Sequence, residues 1–413
     1  MKKRNLLVLA GALLIGSGAL VGCGEKKEPT SEVKKENVSL KVWTSTQSTG
    51  FLKQAVNNFI KENGDIANWD IKIEAVEEDK VQEKITKDKD QAADVFHFPG
   101  DQIVKLQSQN LLYSLPESAV SGFGLSEGVV KAGQVDGKQY GVPYTPNTYF
   151  LYYDPTVYTE DDVKSLDKML AVDVTTKGYA AGSYNIAVDF GGGWYGQSIF
   201  FSSGATMDNS GKAAGFEDAA ALRKASDFLF DMAVTKNTKV ASVGDTAGMF
   251  GSKAAAFVSG TWSASGLTKA YKCAALPSIT LGGVETPWKA VGDYKMIGVK
   301  STTKYPKYAA KLVAYLSGAD AQTLRFSMNN TAPTNEKAIE ENQFAFEGNE
   351  AIAGQTATLA NTFAQPSVAY ASNNYWSAYE AFYQTLKTAT SADDAFTKTQ
   401  AFNDTLKNYK AAE

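Results

Sequence analysis

Tryptophan carries the first chemical signal in this chain of 413 residues. The six tryptophans are Trp43, Trp69, Trp194, Trp262, Trp288 and Trp376. Four stand where elements join: Trp43 and Trp262 after strand patterns, Trp194 after Gly191-Gly192-Gly193, and Trp376 at a helix start. Trp69 opens a strand and reads as core, while Trp288, between Pro287 and Lys289, is left open. A ring exposed at a junction offers a flat apolar face. A sugar offers the complement, a C–H face rimmed by hydroxyls that need donors and acceptors. Covering one sugar face of about 50 Å² is worth on the order of 1 kcal/mol at about 25 cal/mol per Å², so several rings are needed with short polar side chains beside them. Asp101, Asn147, Asp189 and Gln197 lie near aromatic residues and are the candidates for hydroxyl partners. Asp101 also fits a second role, as an acid that favours the dipole of a helix opening near Pro99.

Other chemistries are poorly supplied. With one histidine and two cysteines, zinc sites built on His/Cys clusters, Ser-His-Asp triads and disulfide frameworks lack their parts. His97 sits in the apolar run Val95-Phe96-His97-Phe98 and reads as a buried, hydrogen-bonded side chain. The glycine run lacks the Lys-Ser/Thr of a phosphate loop and reads as backbone that approaches a ligand or turns sharply, so that Trp194 and Tyr195 project into a cleft. The net charge of −4 suits neither a phosphate backbone nor nucleic acid. No cofactor and no metal are expected.

The elements that must hold these side chains follow from periodicity. Val38, Leu40 and Val42 alternate as a strand, and Phe51, Leu52, Ala55, Val56, Phe59 and Ile60 recur at helical spacing. A second strand (Ile71, Ile73, Ala75), a charged helix around Asp79 to Lys89, a third strand from Ala93 to Phe98 and a helix near Pro99 complete a series that predicts a parallel sheet. Ligands sit outside the carboxyl ends of such strands, here Trp43-Thr44-Ser45 and Phe98-Pro99-Gly100-Asp101. Val135-Asp136-Gly137-Lys138 predicts a hairpin turn. Residues 140–154 predict an extended segment in which Pro143 and Pro146 block regular pairing, as in a strand passing between two lobes. Further on come a helix carrying Leu222, Ala225, Leu229 and Met232, a buried strand ending at Thr261-Trp262, and a helix with Pro306 at its start and Gly318 past its end. A last aromatic helix begins near Asn374, with Tyr375, Tyr379, Phe382, Tyr383 and Leu386 on its core stripe and Trp376 about 100° away from it.

At the amino end, Lys2, Lys3 and Arg4 precede an apolar run from Leu6 to Leu20, too short to span a membrane, and read as a secretory signal. Leu20-Val21-Gly22-Cys23 resembles the lipobox of bacterial lipoproteins, which implies cleavage before Cys23 and a diacylglycerol thioether on it. Loss of the leader leaves 38 bases against 45 acids, a charge of −7. Residues 23–37 are rich in charge, Ser, Thr and Pro, and form a flexible tether. Cys273 reads as a small buried apolar residue.

The order of features resembles the extracytoplasmic solute-binding proteins of bacterial ABC importers, of the maltose/maltodextrin-binding type. The segments that carry it are Asp94-Val-Phe-His-Phe-Pro-Gly-Asp, Leu111-Leu112-Tyr-Ser-Leu, Gly137-Lys-Gln-Tyr-Gly-Val-Pro, Leu151-Tyr-Tyr-Asp, Lys253-Ala-Ala-Ala-Phe-Val-Ser-Gly-Thr-Trp262 and Tyr375-Trp376. The resemblance implies a two-lobed α/β fold, each lobe a mainly parallel sheet flanked by helices, with residues 38–145 plus 294–333 in the N-terminal lobe and 146–293 plus 334–413 in the C-terminal lobe. Hinges fall at residues 145–147, 291–293 and 333–334. Carried over position by position, it implies Trp43, Phe98, Asp101 and Lys80 on the first lobe, and Trp194, Tyr195, Trp262, Tyr375 and Trp376 on the second. The chain departs from the pattern at Asn147, where an acid is usual, and at Gln102, where arginine is usual; both changes bear on which sugar is taken. The resemblance further implies a monomer without enzymatic activity, anchored on the extracellular face of a Gram-positive cell membrane, that passes an oligosaccharide, first of all a maltooligosaccharide, to the permease subunits of an ABC importer. Another oligosaccharide or a polyol remains an alternative cargo. An anchored glycoside hydrolase is the alternative activity, and it needs two carboxylates about 5–10 Å apart.

Overall fold

The computed structural model describes residues 35–122, 124–207, 215–364 and 375–409. The leader, Cys23 and most of the tether lie outside the described residues. Alternation along Glu36–Thr44 buries Val38, Leu40 and Val42, and the strand pairs in parallel with Ala67–Ala75 on one side and Val95–Pro99 on the other. The helix Thr49–Glu62 returns between the first two strands and buries Phe51, Leu52, Ala55, Val56 and Phe59, the residues whose 3.6-residue spacing marks its inward face.

The strand Ala290–Val299 closes this first sheet. It runs antiparallel to Val95–Pro99 and to Gly141–Asn147, and parallel to Thr362–Ala364. Pro143 and Pro146 do not stop Gly141–Asn147 from pairing, contrary to the expectation from sequence. Thr145 lies opposite Lys295 and Pro143 opposite Met296, so Tyr144 is the extra residue of a bulge, which accommodates a proline that cannot donate to the ladder. The second sheet runs in the order Lys272–Ala274, Phe150–Tyr153, Ala256–Ser259, Ile186–Ala187, Val240–Ala241. The fold is thus two-lobed and α/β, with both sheets mixed where mainly parallel ones are expected: Ala290–Val299, which runs between the lobes, opposes two of its neighbours in the first sheet, and Phe150–Tyr153 opposes both of its neighbours in the second.

The turn at Asp136-Gly137 has both residues at positive φ, 49° and 72°, as a two-residue hairpin between Gln134–Val135 and Lys138–Gln139 requires. The helix Pro306–Ser317 starts at its proline and ends before Gly318. Tyr375–Leu386 buries the expected stripe but is not the last helix. Ala392–Lys407 follows, capped by the Ser391 hydroxyl, which accepts from the Asp394 N–H at 3.1 Å, and its Phe402 stacks on Phe382 with centroids 4.6 Å apart. Trp288 is core, its indole N–H donating to the Ser198 hydroxyl at 2.7 Å. Trp69 is half-buried, edge-on to Phe59. His97 is fully buried: its Nδ1 lies 3.0 Å from the Trp43 carbonyl and its Nε2 3.0 Å from an Arg325 nitrogen. Arginine only donates, so the proton sits on Nδ1. Cys273 is only half-buried, on the edge strand Lys272–Ala274, where the outer side has no strand to cover it.

Candidate functional site

Three strands of the first sheet end on one rim, and the residues that follow them line a cleft of about 760 Å³. Ser45 and Gln47 follow the first strand. Glu77, Glu78, Asp79 and Lys80 follow the second, Glu78–Lys80 as a 3₁₀ turn. Pro99 ends the third, and Asp101 and Gln102 follow it. Gln82, Glu83 and Lys105, from the adjoining helices, complete a wall on which, among the described residues, no aromatic side chain stands. The facing wall carries Trp194, Trp262 and Trp376, with Glu380 one turn beyond Trp376, and Asn147 and Lys295 lie between the walls.

Local structure explains why these rings face outward. The glycine run ends in the helix Gly193–Ser202, and the Asp189 carboxylate accepts from the Gly192 N–H at 2.9 Å. A Cβ on Gly193 would stand 2.4 Å from Cε3 of Trp376, and one on Gly196 would stand 2.0 Å from the Tyr379 hydroxyl. The glycines therefore let this helix seat against Tyr375–Leu386, where backbone approach to a ligand or a turn was expected, and Trp194 follows Gly193 as a half-buried ring at the cleft. Trp262 is the second residue of the 3₁₀ helix Thr261–Gly266 and folds back over Gly260, where an added Cβ would meet the ring at 2.0 Å. Trp376 lies off the buried stripe and is edge-on to Tyr375, centroids 5.2 Å apart.

Of the residues singled out from sequence, Lys80, Asp101, Asn147, Trp194, Trp262 and Trp376 come together at the cleft. Others do not reach it. Trp43 and Phe98 are 6% and 0% exposed, because pleat alternation turns them under the helices that carry Val81, Ile85, Ile103 and Leu106; the Trp43 indole donates to Glu74 at 2.9 Å. Tyr195 packs on Tyr149 at 4.8 Å and Tyr375 is buried with its hydroxyl 3.2 Å from Gln197 Oε1, so both support the tryptophans from behind. Gln197 is itself fully buried, and Asp189 serves the glycine loop. Glu77, Glu78, Glu83, Gln47, Lys105, Lys295 and Glu380 were missed. The first three follow the second strand, and the rule about carboxyl ends, applied to Ala75 as it was to Thr44 and Phe98, would have found Glu77 and Glu78.

Two carboxyls here have opposite electrostatics: Glu78, buried in the cleft lining, and Asp293, half-buried against the turn that begins at Gly100. Burial alone would raise the Glu78 pKa. The charges of Lys295 and His97, with hydrogen bonds from Lys295 and Tyr144, outweigh that and hold it at about 2. Asp293 has no cation to offset burial, which pushes it up to about 7 although it accepts from the backbone of Tyr294, Asp101 and Gly100 and from the Asn147 amide. Its Oδ2 is 3.2 Å from the Asp101 N–H, and a Cβ on Gly100 would stand 2.3 Å from Oδ1, so only glycine admits the carboxylate there. Asp293 thus fixes the turn that presents Asp101 and Gln102. Among the described residues no group of three or more His, Cys, Asp or Glu is placed to hold a metal ion.

This arrangement can grip a ligand with apolar faces and a polar edge. Residues 54–353 match the family model of bacterial extracellular solute-binding proteins. A galactooligosaccharide-binding protein of Bacillus subtilis (strain 168) is 23% identical over 415 residues, covering 94% of this chain and 93% of the relative. A maltodextrin-binding protein of the same strain is 26% identical over 363 residues, covering 82% of each. A solved structure with acarbose superposes with a TM-score of 0.80 at 28% identity, covering 90% of this chain and 99% of that one.

Proposed function

Because the chain belongs to the bacterial extracellular solute-binding family, we propose that it captures an oligosaccharide between its lobes, first of all an α-linked maltooligosaccharide, and delivers it to an ABC importer. The observation that carries the reading is the asymmetry of the cleft, with Trp194, Trp262 and Trp376 facing a wall of carboxylates, amides and lysines. The rings take the C–H faces of successive sugars, and Asp101, Lys80, Asn147 and the newly placed Glu77 and Gln47 take hydroxyls. Relatives that bind maltodextrin and galactooligosaccharide and a neighbour with acarbose support the ligand class. Residues 145–147, 291–293 and 333–334 act as hinges between the N-terminal lobe of 38–145 plus 294–333 and the C-terminal lobe of 146–293 plus 334–413. Closure on ligand selects the conformation that the permease subunits recognise, and a thioether lipid on Cys23 holds the protein at the outer face of a Gram-positive cell membrane.

Calorimetry against maltose, maltotriose, longer maltodextrins, galactooligosaccharides and unrelated glycans tests this. Binding of maltotriose in preference to galactosides is expected, and silence toward every glycan refutes the reading. Hydrolysis has one point in its favour, the many carboxylates in the cleft. Against it, Glu78 is held ionised, whereas a general acid needs its pKa raised, and the carboxyl that is raised to about 7, Asp293, accepts from the backbone of Tyr294, Asp101 and Gly100 and does not line the cleft. Release of shorter products on prolonged incubation would overturn the binding-only reading.

A further inference from the structure

Lys295 stands on the strand that runs from one lobe to the other, at the residue where its pairing with Gly141–Asn147 shifts register. Its Nζ is 2.8 Å from Oε2 of Glu78 and 5.3 Å from the centroid of the Trp262 ring. Glu78 belongs to the first-lobe wall and Trp262 to the second, so one ammonium touches both. The carboxylate is firmly held. Its side chain is 6% exposed, its Oε1 accepts from the Tyr144 hydroxyl at 2.6 Å, and the Tyr144 ring packs under the Arg325 guanidinium at 4.0 Å, with Phe51 also against the guanidinium at 4.2 Å. The Trp262 ring, lying over Gly260, is flanked by the cleft and by a void of about 30 Å³, the room of one water. A ring so placed has space to swing, and a cation against its face is the contact that gives it a single position. Beside it the Gln47 amide donates to the Ser265 hydroxyl at 3.0 Å, a second contact between the first-lobe rim and the segment carrying Trp262.

We propose that Lys295 is a positioning residue of the ligand site: held by Glu78, its ammonium fixes the Trp262 ring at the cleft floor and ties the second lobe's stacking platform to the first lobe's wall. The role of Trp262 as a platform rests on the saccharide reading above; the fixing of the ring does not. Moving the lobes apart separates Glu78 from Trp262, so the bridge is complete only when they are close, and it adds to the closed arrangement.

The test compares Lys295→Met, which keeps the length of the side chain and removes its charge, with Lys295→Arg, which keeps the charge. Because Lys295→Met leaves Glu78 buried without its cation, the double variant Lys295→Met/Glu78→Gln keeps the measurement clear of that penalty. Indole N–H NMR of the ligand-free protein, with the Trp262 signal assigned through Trp262→Phe, reads the ring directly, and calorimetry with maltotriose reads the site. In the double variant the Trp262 signal should shift or broaden while the Trp69 and Trp288 signals stay in place, and affinity should fall by roughly tenfold, the scale of a desolvated cation–π contact. Lys295→Arg should restore both. An unchanged Trp262 signal in the double variant, or a Lys295→Arg protein as impaired as Lys295→Met, overturns the proposal. If the wild-type protein binds no glycan, the saccharide reading fails, and the NMR comparison still decides whether Lys295 positions the ring.

Discussion

Gly193→Ala is a one-methyl perturbation whose effect on the cleft follows from the space around that residue. The new Cβ would lie 2.4 Å from Cε3 and 2.9 Å from Cζ3 of Trp376, and 3.5 Å from Cβ of Tyr379. Carbon pairs rest at about 3.5–4.0 Å, so the indole must retreat by roughly 1 Å or more. The backbone is not the obstacle. Gly193 is the first helical residue, outside the positive-φ set, and alanine there gains about 0.4–1 kcal/mol by restricting the unfolded chain. Overpacking in a closed core costs about 1–3 kcal/mol, but Trp376 is half-buried on the cleft wall and yields toward the cleft. The two stability effects nearly cancel, leaving a net change under about 1 kcal/mol, while the displaced ring loses a stacked face worth about 1 kcal/mol and intrudes on the ligand's space. Maltotriose affinity should therefore fall roughly tenfold, or about 1.4 kcal/mol, with little change in the urea midpoint. A double-mutant cycle checks the cause: in a Trp376→Ala background, Gly193→Ala should have almost no further effect on affinity. Wild-type affinity in Gly193→Ala alongside a weakened Trp376→Ala, or an equal loss in both backgrounds, would refute the reasoning.

Titrated by calorimetry, Trp194→Ala should weaken maltotriose binding by roughly fivefold to tenfold, as expected for one stacked sugar face, whereas Trp43→Phe should lower the melting temperature through the lost bond to Glu74 and leave affinity within about twofold. Stability should respond to pH through opposed groups. Burial first, and then the Arg325 charge, lower the His97 pKa from its ordinary value near 6.5 to about 4, so its contribution is present above 6.5 and is lost as pH falls toward 4. Asp293, raised to about 7, contributes most below its unfolded value near 3.8 and loses that contribution as pH rises through 7. Asp293→Asn should therefore show a steeper fall in melting temperature from pH 6.5 to 4 than the wild type, and parallel curves would exclude Asp293 as the compensating group. Cys23→Ser should release the protein from the membrane fraction into the medium, and retention on the membrane would exclude the lipid anchor.

Legibility in the sequence followed the range of the forces involved. Alternation in Val38, Leu40 and Val42, the stripe of Tyr375–Leu386, the Asp-Gly turn and the proline and glycine around Pro306–Ser317 are local steric and solvent effects, and each was readable. So was Trp376, since a position about 100° off a buried stripe has to face something else. Trp43 and Phe98 were misplaced because standing at a strand end sets the rim but not the face, and the covering helices took that face. Ala392–Lys407 escaped notice because it follows an aromatic helix and has a weaker apolar stripe.

By itself the sequence determined which residues could do chemistry: many aromatic rings and carboxylates, but one histidine and two cysteines. It also determined the order of elements that brings strand ends to one rim. Only the tertiary structure decided which rings line the cleft, that Tyr195 and Tyr375 stand behind Trp194 and Trp376, and that Lys295 reaches Glu78 and Trp262 together. Those contacts join residues far apart in the chain, and what selects them is packing of whole elements against each other, which no local spacing encodes.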